Sequence, residues 1–158
     1  MFKKILIAVN DSEQAAWAVD AGIELAKETK AQIALVHVVN LTTSYAPEFG
    51  FSLEHVRDDL YEAGREILSG MDAKVPTAIH CTRFMREGDP TNQIVQTADD
   101  WGADLIVLGT HGRGRLAQFL LGSTAEGVLR LAPCPVMTVR RSLVKQETER
   151  LFADSLQQ

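Results

Sequence analysis

Residues 104–139 constrain the fold of this 158-residue chain more than any other stretch. They begin with an apolar run at residues 105–108. A short, uninterrupted apolar run is typical of a strand that is buried on both faces. A glycine-rich segment follows directly, with Gly109, Gly112 and Gly114 interleaved with arginines. We therefore expect a buried strand that leads into a flexible connection.

The same stretch continues with a start signal for a helix. Ser123 is followed three residues later by Glu126, which is the spacing of a capping box. This predicts a helix over residues 123–131. Pro133 cannot continue a helix, so residues 136–139 are interpreted as one more strand.

The arrangement is chemically suited to phosphate binding. Glycines let the backbone approach a ligand and direct N–H groups at it. The N-terminus of a helix adds unpaired N–H donors and a partial positive charge. Gly122, Ser123 and Thr124 occupy that N-terminus, and Arg113 and Arg115 would add charge. The alternative is a plain connection whose glycines only make turns, since an isolated glycine-rich loop is a weak motif.

The spacing Gly109-x2-Gly112-x9-Gly122-Ser123 resembles the nucleotide-binding signature of the universal stress protein family. The segments FKKILIAV and APCPVMTVR are similar to that family's first and last strands. The resemblance implies one nucleotide-binding α/β domain over residues 1–141. Residues 142–158 are polar, and we expect them to form a loosely attached tail.

Strand and helix patterns alternate along the chain. Strands are predicted over residues 5–9, 33–39, 77–85, 105–108 and 136–139. Helices are predicted over 13–29, 53–69, 90–101 and 123–131, and a loop over 40–53. The alternation predicts an α/β fold, a five-stranded parallel sheet with helices on both faces. Asp89 and Pro90 are a typical cap and first residue of the third of these helices.

Ligands of such sheets lie beyond the carboxyl ends of the strands, where the strand order reverses. The resemblance implies the order 3-2-1-4-5, which places the reversal between the first and fourth strands. The loops at that point begin at Asn10 and Gly109. Topology and glycine pattern thus indicate one crevice.

The resemblance implies that ATP binds in this crevice. Its implied ligands lie at strand ends, in the glycine segment or at the start of the last helix: Ala8, Asn10, Asp11, Val38, Gly109, His111, Gly112, Arg113, Gly114, Gly122, Ser123 and Thr124. Adenine would lie between the ends of the first two strands and face the backbone of Val38. The phosphates would lie on residues 112–114 and 122–124.

The end of the first strand departs from the family pattern. Family members commonly carry Asp-x-Ser there, whereas this chain has Asn10-Asp11-Ser12. The amide oxygen of Asn10 can accept a hydrogen bond but has no charge, and Asp11 stands one position later. Helix capping is the alternative role for both residues. The sequence therefore leaves open whether Mg²⁺ accompanies ATP.

We expect no catalytic residue and no metal site. His111 has no carboxylate at a recognisable spacing, and the other histidines form neither HxxxH nor HExxH. The glycine segment lacks the Lys-Ser/Thr pair of a Walker A loop and the GxGxxG order of a dinucleotide site. An adenylate-transferring enzyme would need a motif such as HxGH, which is absent.

The resemblance implies an ATP-binding stress-response protein that acts as a switch or scaffold, with at most slow hydrolysis. The alternative is a nucleotide-free dimeric interaction module on the same fold. The last strand, which starts at Pro135 and ends at Val139, is predicted to be a sheet edge, and the resemblance implies a homodimer through it. In the competing interpretation, Arg140, Arg141 and the tail shield this edge.

Charge and hydropathy argue against other partners. The net charge of −5 gives no general attraction to nucleic acid or anionic membranes. No apolar run approaches the roughly 20 residues of a membrane span. The first apolar run meets Asn10 without a signal-cleavage pattern, so we expect a cytoplasmic protein. Cys81 and Cys134 are expected to be free thiols.

Overall fold

The computed structural model describes residues 1–44, 52–110 and 121–140. Four predicted binding residues, His111, Gly112, Arg113 and Gly114, lie outside the described residues, as do Arg141 and the predicted tail over residues 142–158. Arg115, predicted to add charge, also lies outside them, and the remaining predicted binding residues are described.

Five strands and five helices make up the described chain. In order they are β1 (Lys4–Ala8), α1 (Glu13–Thr29), β2 (Gln32–Val39), α2 (Leu41–Ser44), α3 (Leu53–Asp72), β3 (Cys81–Glu87), α4 (Pro90–Trp101), β4 (Leu105–Gly109), α5 (Ser123–Leu131) and β5 (Val136–Val139). All the strand pairs are parallel, and the sheet order is β3-β2-β1-β4-β5. The predicted α/β class and the implied order 3-2-1-4-5 are confirmed.

The helices pack on both faces of the sheet. Since side chains alternate along a strand, Ile5 and Ile7 of β1 pack with α1 and α3, whereas Leu6 packs with α4 and α5. The residues at 105–108 of β4 are all buried, as predicted for a strand covered on both faces. The two hydrophobic layers fix β1 at the centre of the sheet.

The helix ends follow local capping chemistry. Ser12 caps α1, because its Oγ accepts a hydrogen bond from the Ala15 N–H at 3.2 Å. Asp89 caps α4 through the Asn92 N–H at 2.9 Å, with Pro90 in the first turn. Gly102 ends α4 with a φ of 69°, a conformation that glycine adopts at little cost. The predicted cap of α4 is confirmed, and in α1 the cap is Ser12, not Asn10 or Asp11.

Most predicted bounds agree to within two residues, and three predictions are wrong by more than that. β3 begins at Cys81, not at residue 77, because its pairing with β2 starts at Ile33 and Cys81. The preceding residues form a turn, in which the Ile79 N–H bonds to the Pro76 carbonyl at 2.9 Å. Helix α3 continues to Asp72, three residues past its predicted end.

The third error lies in the predicted loop over residues 40–53, which contains the one-turn helix α2. It is capped by Asn40, whose Oδ1 accepts a hydrogen bond from the Thr42 N–H at 3.1 Å. A single turn of this length carries too little apolar periodicity to be seen in the sequence.

Within the described ranges, no helix combines the length and apolarity needed to cross a membrane. Cys81 and Cys134 are both free thiols, as expected. Burial raises the pKa of Cys81 to about 12, so this thiol is protonated at neutral pH.

Candidate functional site

The carboxyl ends of β2, β1 and β4 meet at one edge of the sheet. The strands are parallel, with Ala8 paired to Val36 and Ile7 paired to Val107. The chain leaves β1 into α1 on one face and leaves β4 toward α5 on the other face. The strand order therefore reverses between β1 and β4, which is the place where sheets of this kind bind their ligands.

Gly109 brings the end of β4 against α1. A Cβ at this position would lie 2.6 Å from the Cβ of Gln14 and 2.9 Å from its carbonyl carbon. Because part of the obstacle is helix backbone, no larger residue fits without a shift. Gly109 thus has a packing role here that the sequence analysis did not assign.

The start of α5 is attached to the end of β4. The N–H of Gly122 donates to the Thr110 carbonyl at 2.7 Å, and the N–H of Thr110 donates to the Val139 carbonyl at 3.1 Å. The amide of Gly122, predicted to bind phosphate, is therefore already occupied by the chain itself.

The predicted capping box at Ser123 is wrong. Gly122 is the N-cap, without a side-chain cap bond, and its carbonyl accepts from the Glu126 N–H at 2.9 Å. The bond that holds Gly122 to Thr110 fixes the helix start one residue earlier than the Ser-x-x-Glu spacing predicts. Ser123 is consequently the first helical residue, with an exposed side chain.

The next two amides of α5 differ from that of Gly122. The first N–H groups of a helix have no acceptor within it. In the described part of the chain, no other group accepts from the N–H of Ser123 or Thr124. Within the described residues, these two donors, with the helix dipole behind them, are open to an anion.

Asn10 closes the turn that follows β1. Its Oδ1 accepts a hydrogen bond from the Ser12 N–H at 3.0 Å and another from the Ser12 hydroxyl. The same hydroxyl oxygen caps α1. The structure thus gives Asn10 a role in positioning the cap, and the Asp11 side chain beside it is exposed.

The backbone of Val38 faces the crevice. Even-numbered residues of β2 bond to β1: the Gln32 N–H donates to the Lys3 carbonyl at 2.8 Å, and the Val36 carbonyl accepts from Val9 at 2.9 Å. Val38 is next in this series, but β1 ends at Ala8. Among the described residues, neither the N–H nor the C=O of Val38 has a hydrogen-bond partner. The side chain packs in the core beside Leu6.

The carboxyl end of β3 is attached to α3 by an ion pair and a hydrogen bond. Arg57 donates to Glu87 at 2.8 Å and Tyr61 donates at 2.9 Å, so the first turns of α3 are attached to the end of β3. The hydrogen bond from Arg57, followed by that from Tyr61, lowers the pKa of the Glu87 carboxyl. Within the described ranges, no group of three or more His, Cys, Asp or Glu side chains could hold a metal ion.

Sequence reasoning missed two residues that shape the crevice, Gln14 and Thr110. Thr110 is buried and joins β4, β5 and α5 through its backbone. Its position directly after an apolar strand was an available signal. Gln14 offered none, because its contact with Gly109 depends on how α1 crosses the sheet.

Comparison with known proteins agrees with this fold and its motifs. The model of the Universal stress protein family matches residues 1–140. Universal stress protein YxiE of Bacillus subtilis is 33% identical over 150 residues, which cover 89% of this chain and 100% of YxiE. Universal stress protein MJ0531 of Methanocaldococcus jannaschii is 36% identical over 144 residues, covering 89% of this chain and 84% of that protein.

A solved structure leads to the same assignment. That of the hypothetical protein MJ0577 aligns with a TM-score of 0.77 at 27% identity and covers 90% of this chain and 98% of its own. The sequence match spans both the first strand and the last strand of the described sheet. This chain therefore belongs to the universal stress protein family.

Proposed function

We propose that this protein binds ATP in the crevice between β1 and β4 and acts as a nucleotide-dependent switch or scaffold in the cytoplasmic stress response. The observation that carries the proposal is the unpaired backbone edge of Val38, within the described residues, at the carboxyl end of the sheet. Adenine presents a ring nitrogen acceptor beside an amino donor. The N–H and C=O of one extended residue complement that pair, whereas guanine presents the reverse pattern.

The phosphates have a separate seat in this proposal. The N–H groups of Ser123 and Thr124 lie at the N-terminus of α5, where the helix dipole favours negative charge. The proposal assigns the predicted residues His111, Gly112, Arg113 and Gly114 to the same phosphates. Since Gly122 already donates to Thr110, the donors shift one residue along the helix.

Two solved structures of related proteins are consistent with an adenine nucleotide. One universal stress protein was solved in complex with cAMP and one from Archaeoglobus fulgidus in complex with dAMP. Their TM-scores are both 0.67, and their identities are 24% and 21%. Those ligands belong to those proteins, and the proposal for this chain rests on its own backbone groups.

The proposal includes no catalytic residue and at most slow hydrolysis. The Asn10 oxygen is committed to a turn, and its amide carries no charge for a metal ion. We also propose a homodimer through β5, which lies at the edge of the described sheet. Helix α5, which packs against β5, carries the exposed Leu129 and Leu131.

Calorimetric titration of ATP tests the site through one amide. Ser123→Pro removes an N–H at the first helical position, where proline is tolerated, and Gly122 already has the extended conformation that proline requires before it. Ser123→Ala is the matched control, because it removes the hydroxyl and keeps the N–H. We expect a roughly micromolar Kd, weakened about tenfold to a hundredfold by proline and little by alanine.

The alternative function has its own support. The occupied Gly122 amide favours a nucleotide-free interaction module on the same fold. If the folded wild-type protein gives no binding heat at millimolar ATP, the interaction module replaces ATP binding as the proposed function.

A further inference from the structure

Just after the end of β1, a backbone carbonyl is hydrogen-bonded by a side chain instead of by the backbone of β2. The Nδ1 atom of His37 lies 2.9 Å from the carbonyl oxygen of Val9. A carbonyl oxygen only accepts, so Nδ1 carries the proton and donates. His37 belongs to β2, and its ring therefore bonds across to the neighbouring strand.

The same carbonyl has a second potential donor. The ladder between β1 and β2 pairs Lys4 with Gln32 and Ala8 with Val36. If it continued by one more step, the Val38 N–H would donate to the Val9 carbonyl. That bond is not formed in the described chain, and the His37 ring occupies the oxygen instead.

We propose that His37 is a positioning residue for nucleotide recognition, which keeps the Val38 amide open by occupying the Val9 carbonyl. The inference rests on the proposed nucleotide site. It explains why the backbone groups of Val38 that would face adenine are unpaired. A ligand then gains the Val38 hydrogen bond without first breaking a β-ladder bond.

Packing holds the ring in this orientation. A Cβ added to Gly64 of α3 would lie 2.8 Å from the Cδ2 of His37 and 2.9 Å from the Sδ of Met85. The absence of a side chain at Gly64 thus leaves room for the imidazole between α3 and the sheet. The ring is fixed by its surroundings as well as by its hydrogen bond.

Two substitutions separate the hydrogen bond from the packing. His37→Asn keeps a donor nitrogen near the position of Nδ1 but leaves a small void. His37→Leu fills the space better and has no donor. If the hydrogen bond positions the site, ATP affinity and Val38 exchange in the asparagine variant stay closer to those of the wild type than in the leucine variant. This holds although the core of the asparagine variant is packed less well.

Two measurements report on each variant. Titration of ATP gives Kd, and we expect leucine to weaken binding about three- to tenfold and asparagine less than twofold. Amide hydrogen exchange of the ligand-free protein gives the protection of Val38. We expect fast exchange in the wild type and in His37→Asn, and at least tenfold slower exchange in His37→Leu, where Val38 can bond to Val9.

The outcomes distinguish the inference from the function on which it rests. If the wild-type protein does not bind ATP, both the proposed function and the role of His37 are overturned, at any exchange rate of the Val38 amide. Wild-type protein that binds ATP while the leucine variant binds equally well overturns only the role of His37. An asparagine variant that binds more weakly than the leucine variant would assign His37 to packing and also overturn it.

Discussion

The two sides of the crevice treat their backbone groups in opposite ways. On the β2 side, the ladder stops early and His37 covers the Val9 carbonyl, so Val38 has no partner among the described residues. On the β4 side, the chain bonds to itself, because Gly122 donates to Thr110. The amide of a glycine in the signature is thus occupied by the chain, whereas the backbone of Val38, which belongs to no motif, is open within the described residues.

This difference shows that a glycine in a binding signature need not offer its own amide. Gly109 is small because Gln14 approaches it, and Gly122 joins α5 to the end of β4. Gly122 thereby places the start of α5 at the end of β4, and Gly109 lets the same strand end pack against α1. The groups left for an anion are the next amides, those of Ser123 and Thr124.

The largest expected effect comes from filling the close contact on the β4 side. Gly109→Ala would put a Cβ 2.6 Å from the Cβ of Gln14 and 2.9 Å from its carbonyl carbon. Overpacking against helix backbone should lower the free energy of unfolding by about 1–3 kcal/mol. Urea denaturation measures the change.

Gly70→Ala is the matched control for this substitution. Gly70 lies in α3, and nothing lies within 4 Å of an added Cβ. Alanine should stabilise that helix by about 0.5–1 kcal/mol. If the two substitutions change stability equally, the packing role of Gly109 is wrong.

Much of the fold could be predicted because it depends on local patterns. The apolar run at residues 105–108 predicts a doubly buried strand, and Asp89 followed by Pro90 predicts a helix start, both from adjacent residues alone. The predicted start of β3 was wrong, because the strand begins where its pairing with Ile33 of β2 begins. A boundary that depends on another strand leaves little trace in its own sequence.

The site was less predictable for the same reason. The capping box at Ser123 failed because the Thr110 carbonyl, from a different element, fixes Gly122 as the cap. His37 appeared only as a scattered histidine, since its partner Val9 lies 28 residues earlier. Hydrogen bonds between a side chain and a distant carbonyl have no spacing rule from which to derive them.

A smaller effect is expected at the turn between the two sides. Asn10→Ala removes the oxygen that accepts from the Ser12 N–H at 3.0 Å, and it releases the hydroxyl that caps α1. We expect a loss of about 1 kcal/mol in the free energy of unfolding, measured by urea denaturation. Asn10→Asp should lose less, because a carboxylate keeps the acceptor. Equal losses in both variants would contradict the role of the turn.

The smallest effect is a pH dependence at the end of β3. The hydrogen bond from Arg57 lowers the pKa of Glu87 below its ordinary value of 4.5 in the folded state. Folding is therefore stabilised above that value, and the stabilisation is lost as pH falls through the lowered pKa. The urea midpoint of Glu87→Gln should lie slightly below that of the wild type at pH 7 and converge with it in acid. If the difference between the two urea midpoints does not change with pH, Glu87 stabilises the fold through its packing and not through its charge.

The same variant also tests whether the attachment of α3 contributes to the open backbone on the β2 side. Glu87 holds α3 to β3 through Arg57 and Tyr61, whereas His37 of β2 packs against Gly64, which lies farther along α3. If His37 alone keeps Val38 open, Glu87→Gln should leave Val38 exchange unchanged at pH 7. Slower exchange in this variant would mean that the attachment of α3 also contributes, through its hold on the imidazole, and the open backbone would then depend on the whole β2–α3–β3 unit.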